Sequence, residues 1–202
     1  MDIMEIINKE DKELLFNKRI LSLKRIDWGK IVGQINQYIQ KNILEYMLKD
    51  YGYSVYTSDN NDLPGIIDVK NNSPGFDIII VSPENKIFKI QSKLRQVNGL
   101  TDYSQQIHFE TTRRNSKKNE YRNHTGHICY SLDEFDFVFV SLINDKHNRI
   151  NKIKNCNLWS YTLIPIKCLK DEKKNCCVSK ISPDILEKNI IKLNHDIRSI
   201  FS

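Results

Sequence analysis

The chain has 202 residues, 28% of them charged and 40% hydrophobic, with a formal net charge of +6. That balance fits one folded domain and excludes wholesale disorder. No apolar run reaches the roughly 20 residues a bilayer span needs, and the charged opening MDIMEIINKEDKELL lacks the layout of a secretory leader.

Residues 1–27 read as a weakly ordered helical extension around Leu14, Leu15, Phe16 and Ile20. Asp27 can cap the segment that follows, whose apolar residues Ile31, Ile35, Ile39, Ile43, Tyr46 and Met47 fall at helical spacing. Gly52 offers a stop. The stretch SVYT reads as a short strand, and the turn-rich 58–75 as a loop. Residues 76–82 and 86–93 predict two strands around the turn Pro83-Glu84-Asn85, an antiparallel hairpin. A polar segment from Tyr103 to about Asn115 suits a helix, and SKKNEYRNHTG a loop. The apolar run FDFVFVSLI predicts a central strand, and 158–166 another, ended near Pro165. Pro183 can open a last helix with Ile185, Leu186, Ile190, Ile191 and Leu193 on one face. The expected fold is therefore α/β, a mixed five-stranded sheet flanked by helices. One domain is expected, with a core at 28–166, the extension at 1–27 and a helical segment at 167–202.

The five cysteines lack CxxC spacing, and the adjacent pair Cys176-Cys177 cannot easily close on itself, so reduced thiols and a cytoplasmic location are expected. Charge is unevenly placed. Residues 1–88 hold 11 basic against 13 acidic side chains, whereas 89–127 hold 8 against 3. A local basic surface suits a polyanion, of which nucleic acid is the commonest, although a lysine-rich solvated surface gives the same count.

The stretch GFDIIIVSPENKIFKIQSK carries the chemistry. Alternate strand residues share a face, so Gln91 and Lys93 point the same way, and the hairpin turn can bring Asp77 beside them. Three polar groups on apolar strands are costly to bury without a purpose. The Asp77 carboxylate, the Gln91 amide oxygen and the Ser92 backbone carbonyl are hard ligands suited to Mg²⁺. An ammonium at Lys93 can orient water or stabilise charge on a phosphate. The plainer reading makes Asp77 a turn cap, and Gln91 and Lys93 a solvent-facing strand end.

The pattern D-x13-Q-x-K resembles the active-site signature of the PD-(D/E)XK nuclease superfamily, in the form with glutamine in place of the second acid. IQSKLRQVNGLTDYSQQIHF resembles the glutamine-bearing restriction endonucleases of that group, and TTRRNSKKN, Tyr130 and the aspartate leading FDFVFVSL extend the likeness. Pro74 is displaced from the position adjacent to the acid. The resemblance implies a restriction-endonuclease-like core from about Ile31 to Ile166 and a Mg²⁺-dependent type II endonuclease. Such an enzyme cuts double-stranded DNA at a short specific sequence and leaves 5′ phosphates. Asp77, Gln91 and Ser92 would hold the metal, one ion rather than two, and Lys93 would position water. An early-helix acid also belongs to the family pattern. Here that position is Gln37, and Glu45 is the nearest acid that can stand in. A palindromic target calls for a two-fold homodimer. A restriction system implies a companion DNA methyltransferase, with no direct contact required.

Arg95, Gln105, Gln106, His108, Thr111, Thr112, Arg113, Arg114, Asn115, Lys117 and Lys118 are the candidate DNA-facing residues. Arginine and glutamine pair with base edges, and lysine with phosphates. A solvated helix end is the plainer reading. His124 and His127 near Cys129 lack a full zinc set. Two other readings stay open: a structure-selective or repair nuclease of the same fold, and a non-catalytic DNA-binding protein on a nuclease scaffold.

Overall fold

The computed structural model describes residues 25–58, 76–96, 107–108, 112–114, 127–130, 132–143, 160–171, 176–177, 180–192 and 196–201. The expected extension at residues 1–24 lies outside them.

Helix α1 spans Arg25–Leu48 and buries Ile35, Ile39, Ile43, Leu44, Met47 and Leu48, the face its sequence periodicity predicts. A 3₁₀ turn, Lys49–Tyr51, tightens its end, and Gly52 closes it at φ 74°, a left-handed conformation that glycine adopts without strain. The strands follow as β1 (Ser54–Thr57), β2 (Ile78–Val81), β3 (Ile87–Gln96), β4 (Ile107–His108), β5 (Thr112–Arg114), β6 (His127–Cys129), β7 (Phe137–Ile143) and β8 (Ser160–Pro165). After a 3₁₀ turn at Ile166–Leu169 come β9 (Lys170–Asp171), β10 (Cys176–Cys177), β11 (Lys180–Ile181), helix α2 (Pro183–Lys188) and β12 (Ile190–Ile191).

The main sheet is mixed and runs β1-β2-β3-β7-β8-β12. Its neighbours are antiparallel except β3 and β7, which pair in parallel from Ile90↔Phe137 to Gln96↔Ile143. The predicted hairpin is β2–β3, with Ile78↔Ile90 to Val81↔Ile87 in register. Its turn rests on Asn85 at φ 62°, a conformation asparagine tolerates better than most residues, and on the Ser82 amide donating to the Lys86 carbonyl.

Two apolar layers cover the sheet. On the α1 face, Ile35, Ile39 and Ile43 pack with Ile78, Ile80, Phe88, Ile90, Phe137 and Phe139. Phe201 closes that layer, its ring 5.4 Å from Phe88 and 5.3 Å from Phe137. On the other face Ile79, Val138, Val140 and Ile164 pack with Phe76, Tyr130, Phe135 and Leu186. Each such side chain contributes about 1.5–3 kcal/mol when fully buried. Asp136, the aspartate expected ahead of the core strand, ties the entry of β7 to β3 and to the 3₁₀ turn after β8. Its Oδ2 accepts from the Lys89 amide, its own amide donates to the Lys89 carbonyl, and its carbonyl accepts from the Ile166 amide.

Two expectations are corrected. The sheet has six strands, not five, because α2 stops at Lys188. Asn189 breaks from helical geometry, its carbonyl accepts from the Leu163 amide, and Ile190 and Ile191 pair with Thr162 and Tyr161 as β12. Isoleucine is β-branched and favours a strand once an edge is offered. The segment expected as a helix from Tyr103 to Asn115 contains β4 and β5 instead, β4 pairing with β11 and β5 with β6. Ile107 on β4 and Thr112 on β5 are β-branched, which favours extended backbone there.

Candidate active site

The site lies where β2 begins. The last pair of the β2–β3 ladder is Ile78↔Ile90, with the Asp77 amide donating to the Ile90 carbonyl at 2.8 Å. Just beyond that pair, the Asp77 carboxylate meets the Gln91 side chain. The Gln91 Nε2 donates to Asp77 Oδ2 at 2.5 Å, and the Ser92 amide donates to the same oxygen at 2.8 Å. Gln91 is only 6% exposed, so this carboxylate–amide pair is an internal feature of the sheet and not a frayed end.

Alternation along β3 decides which groups meet. Residues with backbone groups directed at β2 alternate with residues directed at β7. Ile90 is bonded toward β2, so the Ser92 N–H and C=O share that side, beyond the last β2 pair, where the Asp77 carboxylate lies. Lys93 shares the face of Gln91, and its Nζ lies 5.5 Å from the centroid of the Tyr130 ring. A carboxylate and a primary amide thus meet at one edge of the hairpin, with the Ser92 backbone beside them and Lys93 next along the Gln91 face of β3.

This donor set suits a small hard cation. Its oxygens come from Asp77, Gln91 and Ser92, one anionic and two neutral, which is few ligands for Ca²⁺ but fits Mg²⁺, an ion that keeps several of its waters. Among the described residues no group of three or more His, Cys, Asp or Glu side chains is placed to hold a metal. A site here therefore depends on the neutral amide and carbonyl oxygens.

Helix α1 reaches β3 through residues the sequence reading did not single out. Asn36 Nδ2 donates to Ser92 Oγ at 2.9 Å. Gln40 Nε2 lies 2.9 Å from Ser141 Oγ, 3.0 Å from the Phe139 carbonyl and 3.3 Å from the Lys93 carbonyl. Gln40 is fully buried, and its Oε1 has no hydrogen-bond partner among the described residues. The signal was present as two amides four residues apart on an otherwise apolar helix face. Gln37 is half-buried, one position round from Asn36. Glu45 Oε1 accepts from Lys41 Nζ at 2.5 Å, an i,i+4 pair on the half-exposed side of α1. Asn36 and Gln40 are thus the α1 positions whose side chains hydrogen-bond to the site strand at Ser92 and Lys93.

Of the candidate DNA-facing residues, Arg95 is on β3, and its Nη1 donates to the Leu94 carbonyl at 2.8 Å. His108 is on β4 opposite Lys180. Thr112, Arg113 and Arg114 form β5, opposite Cys129, Ile128 and His127. Gln105, Gln106, Thr111, Asn115, Lys117 and Lys118 lie outside the described residues, as does His124. No family model matches the chain, and neither a curated protein nor a solved structure does.

Proposed function

We propose that the chain is a Mg²⁺-dependent endonuclease of the PD-(D/E)XK kind, a type II restriction enzyme acting on double-stranded DNA. The observation that carries this reading is the convergence of Asp77, Gln91 and the Ser92 backbone at the mouth of the β2–β3 hairpin, with Lys93 on the same face. The order of elements supports a restriction-endonuclease-like core: a helix, three antiparallel strands, then a strand parallel to the third.

Mg²⁺, when bound, supplies Lewis-acid stabilisation of the phosphate and its departing oxygen. The chain's own groups supply the rest. Asp77 and Gln91 are already oriented by their mutual hydrogen bond, so little side-chain freedom remains to be lost. Lys93 donates to a phosphate oxygen or to the attacking water, and the Tyr130 ring beneath its ammonium limits its wandering. Asn36 and Gln40 hold β3 at Ser92 and Lys93 from the opposite face.

The test is a digest of plasmid DNA of known sequence with purified protein and Mg²⁺. Discrete fragments with 5′-phosphate ends are expected. Cutting confined to branched substrates would replace this reading with a structure-selective nuclease, and binding without cutting would leave a DNA-binding protein on a nuclease scaffold.

A further inference from the structure

Strand β3 carries Lys89, Gln91, Lys93 and Arg95 at every second position, so all four share one face. The register fixes which face. Lys89 pairs with Ile79, Gln91 with Val138, Lys93 with Val140 and Arg95 with Leu142, and these four apolar partners belong to the layer away from α1. The two lysines bracket the Asp77–Gln91 pair. Lys89 Nζ lies 5.5 Å from the centroid of Phe76, the residue before Asp77, and Lys93 Nζ lies 5.5 Å from that of Tyr130. Both rings are buried, so each ammonium has a fixed apolar floor. Asp136 meets Lys89 through the backbone, its Oδ2 accepting from the Lys89 amide.

Two cations held over rings on either side of one carboxylate, with a guanidinium further along the same line, form a linear positive track. We infer that this face of β3 binds a single sugar–phosphate strand running along it, with Lys89 on a phosphate to one side of the one that faces Lys93 and Arg95 on the other side. Lys89 and Lys93 are about 13 Å apart along the strand, at ~3.3 Å per residue. Consecutive phosphates of one strand lie about 6–7 Å apart along its path, so that length spans about two phosphate spacings. The placement of the strand rests on the nuclease reading, because Asp77 and Lys93 mark the reacting phosphate. The track's affinity for phosphates does not.

The experiment measures binding of a duplex oligonucleotide by fluorescence anisotropy in EDTA, across a series of NaCl concentrations. Lys89→Gln removes one phosphate contact and should reduce the slope of log affinity against log salt by about 0.9. Lys89→Arg should keep the wild-type slope. Lys86→Gln makes the same charge change where the ammonium rests on Phe88, in the α1-side layer, and should leave the slope unchanged. A Lys89→Gln slope equal to wild type, or lowered no more than by Lys86→Gln, overturns the track even if the wild type cuts DNA. A wild type that binds with the expected Lys89 dependence but never cuts keeps the track and removes the nuclease reading. A wild type that binds no DNA in EDTA removes the track, and the digest in Mg²⁺ decides the nuclease reading separately.

Discussion

The Gln91 side chain donates to Asp77 through its Nε2, a hydrogen bond that a glutamate at the same position cannot make while ionised. Gln91→Glu places two carboxylates in contact at a buried position, where like charges disfavour joint ionisation. Without divalent ions this variant should lose about 1–3 kcal/mol of stability, the cost of stranding a buried polar group. The loss should be greater at pH 8 than at pH 5, because a proton shared by the pair restores the bond. Added Mg²⁺ should raise the melting temperature of the variant more than that of the wild type. Thermal melts at the two pH values, with and without Mg²⁺, check all three points. Lys93→Ala should reduce cleavage by about 10²-fold or more while DNA affinity in EDTA changes only by one phosphate contact. Single-turnover rates alongside anisotropy titrations separate those effects.

Among elements, β3 is the one on which the site depends, and α1 is what holds it. Gln40→Ala should destabilise the fold by about 1–3 kcal/mol, because it removes the donor shared among Ser141 Oγ and the Phe139 and Lys93 carbonyls. Chemical denaturation measures that loss, and an unchanged midpoint would show that the buried amide does not tie the helix to the sheet. Further along, the 3₁₀ turn Arg198–Ile200 is fastened by Asp196. The Arg198 guanidinium donates to both Asp196 oxygens and lies over the Tyr51 ring, 4.0 Å from its centroid. These side-chain bonds, then the Arg198 backbone N–H, hold the Asp196 carboxyl down to about 2. A depressed folded-state value means that the contribution is present above the ordinary aspartate range and disappears as pH falls through about 2. Carboxyl-carbon NMR should show Asp196 titrating below ordinary aspartates, and Arg198→Ala should return it to their range. Element type was legible where the pattern was strong. The α1 periodicity, the hairpin around Asn85 and the apolar run of β7 all predict what forms. It failed where the deciding factor was a distant partner. Nothing local in Ile190–Ile191 says that β8 has an open edge beside it, β4 needs a partner far along the chain, and β5 needs β6.

At the scale of the whole molecule, the charge map and the sheet agree in part. The basic excess at residues 89–127 begins on β3 itself, at Lys89, so one end of the polyanion surface expected from composition coincides with the candidate site. No helix among the described residues is long and apolar enough to cross a membrane. The meeting of Asp77 with Gln91 was readable because strand alternation and a short turn leave few alternatives. The Asn36 and Gln40 supports were not, because an amide on an apolar helix face has no visible purpose until the strand opposite it is known. The most direct test of the account compares Mg²⁺-dependent cleavage of a plasmid of known sequence by the wild type and by Asp77→Asn. Discrete fragments are expected from the wild type, and a rate lower by about 10²-fold or more in the variant. Equal rates for the two proteins, or an uncut plasmid with the wild type in Mg²⁺, would contradict it.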